Sequence, residues 1–216
     1  MSTCYMMGQS VKNLELRDGM NAFERAVKRL FDFCCSFIAL ILLSPVFLIV
    51  SLALLFQGEG SVLFKQERIG YKGRPFNILK FRTMRVDSES DGEPQLAKTC
   101  DERLTKVGKF LREHHLDELP QLLNVLKGDM SFVGPRPERK YFIDKIRKED
   151  PNYDYVYNMR PGLTSRATLY NGYTDTMEKM LIRLDMDLEY LTKRSLWSDF
   201  VVVVKTALFI ASGKKF

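Results

Sequence analysis

The chain has 216 residues, 45% of them hydrophobic and 28% charged, with a net charge of +6 and a pI near 9.1; this balance excludes a disordered chain, and the length supports a core without disulfide staples. Four cysteines without a CxxC or Cys/His spacing, and only two histidines, the adjacent His114 and His115, exclude a disulfide framework and a histidine-rich metal site. The positive charge suits an anionic partner, whether nucleic acid, an anionic membrane surface or a phosphorylated substrate, and charge alone does not choose among them.

In chain order, residues 1–21 are polar and irregular and read as a loose tail. Ala22 to Leu30 reads as an amphipathic helix, with Phe23, Ala26, Val27 and Leu30 at helical spacing and basic residues on the other face. It feeds an apolar stretch from Phe33 to Gly58 that contains no charged residue. About 25 such residues is enough to span a bilayer, which needs about 20. The flanks complicate a simple span. Arg25, Lys28 and Arg29 precede the stretch and Lys65, Arg68, Lys72 and Arg74 follow it, so both ends carry the charge expected of a cytoplasmic side. Ser44-Pro45 lies in the middle, and a proline inside a helix removes a backbone donor and kinks it. Two readings stand: a re-entrant segment that bends at Ser44-Pro45 and returns, and a straight span with a mild kink.

Beyond Gly60, Ser61 to Phe64 and Phe76 to Leu79 read as short strands joined through the turn-like Gly70-Tyr71-Lys72-Gly73, a β-hairpin. Asp87 to Thr99 reads as an acidic exposed loop. Helical spacing then marks Leu104 to Leu111, Leu119 to Leu126 with Gly128 as a stop, Lys140 to Lys148, and Met177 to Leu191. Asp199 to Ala211 is strongly apolar but too short to span, so it lies on the membrane or packs in the core. The expected architecture is mixed α+β and mostly helical: a loose tail (1–21), an amphipathic and re-entrant membrane helix-break-helix (22–58), and a cytosolic catalytic domain (59–216) with a small β-hairpin, amphipathic surface helices and a membrane-associated C-terminal helix.

Chemistry concentrates at Asp117 and Glu118. Adjacent carboxylates bind a hard divalent cation such as Mg2+, and an aspartate can act as a nucleophile at phosphorus. Acidic residues are also ordinary at helix starts, where they cap and meet the dipole. Arg112, Arg136 in Pro135-Arg136-Pro137, and Arg160 in Arg160-Pro161-Gly162 are candidates for phosphate contacts, with Lys80 and Arg82 adding charge. The flanking prolines fix the backbone at Arg136 and Arg160.

Several blocks together are familiar. Phe64-Lys65-Gln66-Glu67-Arg68-Ile69-Gly70 is followed by Phe76 to Met84, by Leu111-Arg112, by Leu116-Asp117-Glu118-Leu119-Pro120-Gln121-Leu122, by Gly128 to Glu138, and by Arg160-Pro161-Gly162. From about Phe23 onward this resembles the bacterial sugar transferase family, monotopic phosphoglycosyl transferases that start glycan assembly. The resemblance implies a re-entrant helix broken at Ser44-Pro45, an Asp117-Glu118 catalytic dyad, Mg2+, a UDP-sugar donor and a polyprenol phosphate acceptor, with UMP as the leaving product. It implies a place on the cytoplasmic face of the bacterial inner membrane among lipid, with no nucleic acid partner, and leaves a homo-oligomer open. The size resembles the minimal catalytic form. The chain departs from the family at Ser165-Arg166-Ala167-Thr168, where relatives carry a Gly-Trp-Ala-Gln type run. The reading set against this one is a membrane-anchored basic protein that binds nucleic acid or anionic lipid.

Overall fold

A computed structural model describes residues 16–58, 60–85, 101–172 and 176–212. The acidic loop expected at Asp87 to Thr99 and the first fifteen residues of the expected tail lie outside the described residues.

The chain opens with α1 (Ala22–Leu42), capped by Asn21 and Glu24 in a reciprocal capping box, and continues into α2 (Ser44–Phe56). The two axes are bent by 60° at Leu43. Pro45 sits in the first turn of α2, where its missing N–H costs nothing, and Ser44 Oγ donates to the Ile41 carbonyl at 2.8 Å, one of the groups freed by the break. Among the described residues no single helix is long and apolar enough to cross a membrane, although the bent pair passes that test together.

The first turns of α1 have the expected amphipathic division, with the apolar face turned away from the rest of the protein. Phe23 and Leu30, expected on a common apolar face, are exposed at 75% and 64%, while Asp32 and Ser36 are buried. The polar stripe faces the protein. Arg29 donates to the Val125 and Leu126 carbonyls, Lys28 to the Val133 carbonyl and to Asp199, and Asp32 accepts the Phe132 N–H at 3.0 Å. Lys28 and Arg29, which read as flanking charges of a membrane segment, are therefore bonded into the protein. Upstream, the segment expected to be loose is pinned at its described end: Asp18 binds Arg25 and Arg194, Gly19 N–H reaches the Leu191 carbonyl at 2.9 Å, and Met20 is buried.

The expected hairpin is present as β1 (Leu63–Ile69) and β2 (Pro75–Phe81), antiparallel, with Phe64 opposite Lys80 and Arg68 opposite Phe76. Then follow α3 (Lys106–Glu113), a 3-10 turn at Leu116–Glu118, and α4 (Gln121–Lys127), which stops at Gly128 in the left-handed conformation, φ 97°. A second sheet was not expected: β3 (Ser131–Val133) pairs in parallel with β4 (Gly162–Thr164), and α5 (Lys140–Glu149) with a 3-10 segment at Pro151–Asn158 forms the crossover. Its strands of three residues carry too little periodicity to be read. The two strands approach closely at Gly134 and Gly162, where a Cβ on Gly162 would lie 2.2 Å from the Gly134 nitrogen. The chain ends with α6 (Arg166–Asn171), α7 (Met177–Lys193) and α8 (Leu196–Ala211).

Small apolar clusters hold these elements together. One joins Val50 and Leu54 of α2 to Phe81, Leu111, Leu116 and Leu119. Another packs α5, the Pro151–Asn158 segment and α7 through Ile143, Ile146, Tyr153, Leu184 and Leu188. Outside these clusters, α1 and α2 expose Phe33, Phe37, Ile41, Leu48, Ile49 and Phe56, and α8 exposes Trp197 and Phe200 with their rings stacked. An apolar surface on this scale is unusual for a monomer in water.

Candidate active site

Asp117 and Glu118 sit on the 3-10 turn between α3 and α4. His115 enters that turn with φ 55°, a left-handed backbone unusual for a residue other than glycine. Leu116 and Leu119, on either side of the carboxylates, pack under Val50 and Leu54 of α2. The two acidic side chains are thus held one layer from the apolar helix.

The two carboxylates have opposite surroundings. Glu118 Oε1 accepts from Lys80 Nζ at 2.7 Å and from Arg136 Nη2 at 3.2 Å. Burial alone would raise its pKa, but the charges of Lys80 and Arg136 hold it far below the usual carboxylate range. Asp117 is only 5% exposed. Burial pushes its carboxyl up, the negative charge of Glu118 pushes it further, and Lys80, Arg112 and His115 only partly counter this. One carboxylate is satisfied by cations and its neighbour is left with its charge poorly solvated. Arg136 gains basicity from Glu118 in turn.

Of the expected site residues, Lys80, Arg112 and Arg136 come together around the dyad, with Pro135 and Pro137 holding Arg136 beside the turn at Gly70. Arg112 keeps one buried N–H group, on Nη1, without a protein acceptor. Arg82 is buried and donates Nη2 to the Leu54 carbonyl near the end of α2, leaving Nε and Nη1 without acceptors. Arg160 donates Nε to the Gly128 carbonyl at 3.0 Å and lies over the ring of Tyr71, 4.9 Å from its centroid. Ser44 and Pro45 are at the helix break, as expected. The departing run Ser165 to Thr168 is the start of α6: Ser165 Oγ accepts the Thr168 N–H, and Arg166 pairs with Glu189.

Among the described residues no group of three His, Cys, Asp or Glu side chains converges as a metal cage. Mg2+ needs less, since it takes one or two carboxylates and completes its shell with water and substrate phosphate. Asp117 and Glu118 fit that demand: a cation beside Asp117 would relieve the unfavourable charge that burial and Glu118 impose there.

Three further charged residues, Glu138, Arg183 and Asp187, are buried behind Arg136 and were not singled out in the sequence. Glu138 is buried and binds Arg183 at 2.6 Å and Arg68 at 3.3 Å. The available signal was the pair Arg183 and Asp187, four residues apart on the otherwise apolar face of α7.

Comparison with known proteins brings the motifs and the geometry together. The family model for bacterial sugar transferase matches residues 23–213. The chain is 41% identical to the UDP-N-acetylgalactosamine-undecaprenyl-phosphate N-acetylgalactosaminephosphotransferase of Aeromonas hydrophila, over 87% of this chain and 44% of that one. It is 40% identical to the UDP-glucose:undecaprenyl-phosphate glucose-1-phosphate transferase of Caulobacter vibrioides, over 93% of this chain and 76% of that one. It is also 40% identical to the Escherichia coli protein of that name, over 87% of this chain and 40% of that one. The chain therefore spans less than half the length of two of these relatives and three quarters of the third.

Proposed function

Because the chain belongs to the bacterial sugar transferase family, we propose that it moves a sugar-1-phosphate from a UDP-sugar onto a polyprenol phosphate through a covalent bond to Asp117, at the cytoplasmic face of the membrane, as the first membrane step of glycan assembly. The observation that carries this reading is the Asp117–Glu118 turn itself: one carboxylate neutralised by Lys80 and Arg136, the other buried and poorly solvated, both fixed under α2.

Asp117 attacks the β-phosphorus of the UDP-sugar. A bond forms between its carboxylate oxygen and phosphorus, the bond to the bridging oxygen breaks, and UMP leaves with that electron pair. A desolvated carboxylate is a better nucleophile than a hydrated one, and here burial supplies the desolvation. Arg136 and Arg112 oppose the charge on the transferring and leaving phosphates, with Lys80 beside them. An oxygen of the polyprenol phosphate then attacks the same phosphorus, and Asp117 leaves as a free carboxylate. Glu118 keeps Lys80 and Arg136 facing the reacting centre. Mg2+, held by Asp117 and Glu118, supplies further neutralisation of phosphate charge when bound.

The bent helix pair is a re-entrant membrane segment. Both of its ends are bonded to one folded body: α1 through Arg29, Lys28 and Asp32, and α2 through Val50, Leu54 and the Arg82 bond to the Leu54 carbonyl. This anchoring supports a segment whose two ends lie on the same side of a bilayer. The stacked Trp197 and Phe200 of α8 rest at the membrane surface. The donor sugar is left open, since the relatives at 40–41% identity are named for two different sugars.

The test uses the full chain in detergent with UDP-glucose and UDP-N-acetylgalactosamine, each labelled in the β-phosphate, and no acceptor. Label should stay on the protein, disappear when undecaprenyl phosphate is added, and be absent from Asp117→Asn. Label that persists in Asp117→Asn rules out that residue as nucleophile; steep loss of nucleic acid binding with salt, without UMP release, would favour the basic binding protein.

A further inference from the structure

Behind Arg136 lies a buried chain of charges that the transfer chemistry does not touch. Glu138 follows Arg136 by two residues, and its carboxylate takes Arg183 on Oε1 at 2.6 Å and Arg68 on Oε2 at 3.3 Å. The same segment is tied down along its backbone: Arg68 Nη1 donates to the Pro137 carbonyl and the Ile69 N–H to the Glu138 carbonyl, both at 3.1 Å. Arg183 and Asp187 stand one turn apart on α7, both buried. A cavity of about 10 Å³ is lined by Arg136, Arg183 and Asp187 together with Tyr153. Arg136 thus donates Nη2 to Glu118 and also lines this cavity.

We propose that Glu138, Arg183 and Asp187 are positioning residues for Arg136, fixing its guanidinium against Glu118 so that it meets the transferring phosphate in one orientation; this rests on the transferase reading above. Stability alone does not account for the cluster. Buried ion pairs are often no better than apolar packing of equal volume, because desolvation offsets their attraction. Asp187 is the clearest case: burial drives its carboxyl up to about 7 against the pull of Arg183, so its charge is costly where it stands. A leucine face on α7 would pack Ile146, Tyr153 and Leu184 without that cost. What an apolar face lacks is a fixed field: Glu138 and Arg183 place alternating charges behind Arg136 and give a long flexible side chain a single favoured arrangement.

The experiment is a double-mutant cycle on the full chain in detergent with undecaprenyl phosphate, using the better of UDP-glucose and UDP-N-acetylgalactosamine as donor. Glu138→Gln and Asp187→Asn are compared in the wild-type and Arg136→Lys backgrounds, each with a thermal melt. Expected is a kcat loss of about tenfold for Glu138→Gln and about threefold for Asp187→Asn, with KM for the donor within about twofold, and a loss under about twofold for either change once Arg136 is lysine. Asp187→Asn should melt no lower than wild type at neutral pH while still losing kcat, which a purely structural role would not produce. Equal losses in both backgrounds, or losses that track the melting temperature, overturn the proposal even if Glu138→Gln folds poorly, because Asp187→Asn carries the same comparison. A wild-type chain that releases UMP from no donor overturns the transferase reading first, and this inference with it.

Discussion

Two places in this molecule bury an aspartate beside a lysine, and they are built for opposite purposes. At the junction of α1, α7 and α8, Asp199 accepts from Lys28 and from the Tyr190 hydroxyl at 2.5 Å, while Lys28 also donates to the Val133 carbonyl. Lys28, Asp199 and the Tyr190 hydroxyl are partnered with one another, and the junction ties three helices and a strand together. At the turn between α3 and α4, the cations go to Glu118, and Asp117 beside it is left desolvated next to a like charge. The difference lies in where the cations point, since burial is similar: 8% exposure for Asp199 and 5% for Asp117. A carboxylate completed by its neighbours holds a structure together; one denied them is available to react.

The sharpest way to break that contrast is to remove each aspartate. Asp199→Ala removes the carboxylate paired with Lys28 and the acceptor of the Tyr190 hydroxyl, and should cost about 3 kcal/mol of stability, seen as a lower denaturant midpoint. Asp117→Asn should abolish label transfer and yet melt at the wild-type temperature or above at neutral pH. The sign follows from the shift: a carboxyl whose folded pKa is raised stabilises the fold below its ordinary value and loses that contribution as pH rises through the folded value, so an uncharged amide avoids the loss. A destabilised Asp117→Asn would place this residue in the same class as Asp199.

The second measurement sharpens the comparison within the dyad. In the proposed mechanism the reactive form of Asp117 is the ionised one, so kcat/KM should fall on the acid side at a pH above the ordinary aspartate value of 3.8. Glu118, held far below the usual range, stays ionised through that fall and keeps Lys80 and Arg136 in place. A profile flat down to the ordinary aspartate range would remove the burial argument. The smallest effect belongs to the helix break: Ser44→Ala loses the bond to the Ile41 carbonyl and should cost under about 1 kcal/mol, with the 60° bend kept by the missing N–H of Pro45.

Much of this was legible in the residues because local chemistry decided it. Ser44-Pro45 marks the break, Gly128 the stop of α4, and two short runs around the turn-like Gly70-Tyr71-Lys72-Gly73 the hairpin. The parallel pairing of β3 and β4 was not legible: it joins two three-residue strands across a long crossover, and only the close approach of Gly134 and Gly162 demands it. That Asp117, Glu118 and Arg136 belong to one site could be expected from their motifs, but which of the two carboxylates takes Lys80 and Arg136 is a matter of tertiary geometry. Arg82, expected from its charge to meet phosphate, is buried and gives Nη2 to a helix carbonyl, a bond that no motif announces. The basic flank of α1 read as a topological signal because pattern shows where charge lies along a chain and not which way it faces.

The docking of α1 gives the break at Leu43 a compass bearing as well as an angle. Arg29 and Asp32 lock the rotation of α1 about its own axis, and that rotation sets the direction in which α2 departs. One extra residue after Ser36 would swing α2 around by about 100°, carrying Val50 and Leu54 away from the leucines that roof the two carboxylates. The length of this helix between its last bond to the body and its corner is therefore a dimension of the proposed active site, and apolar residues can be exchanged along it far more freely than they can be counted up or down.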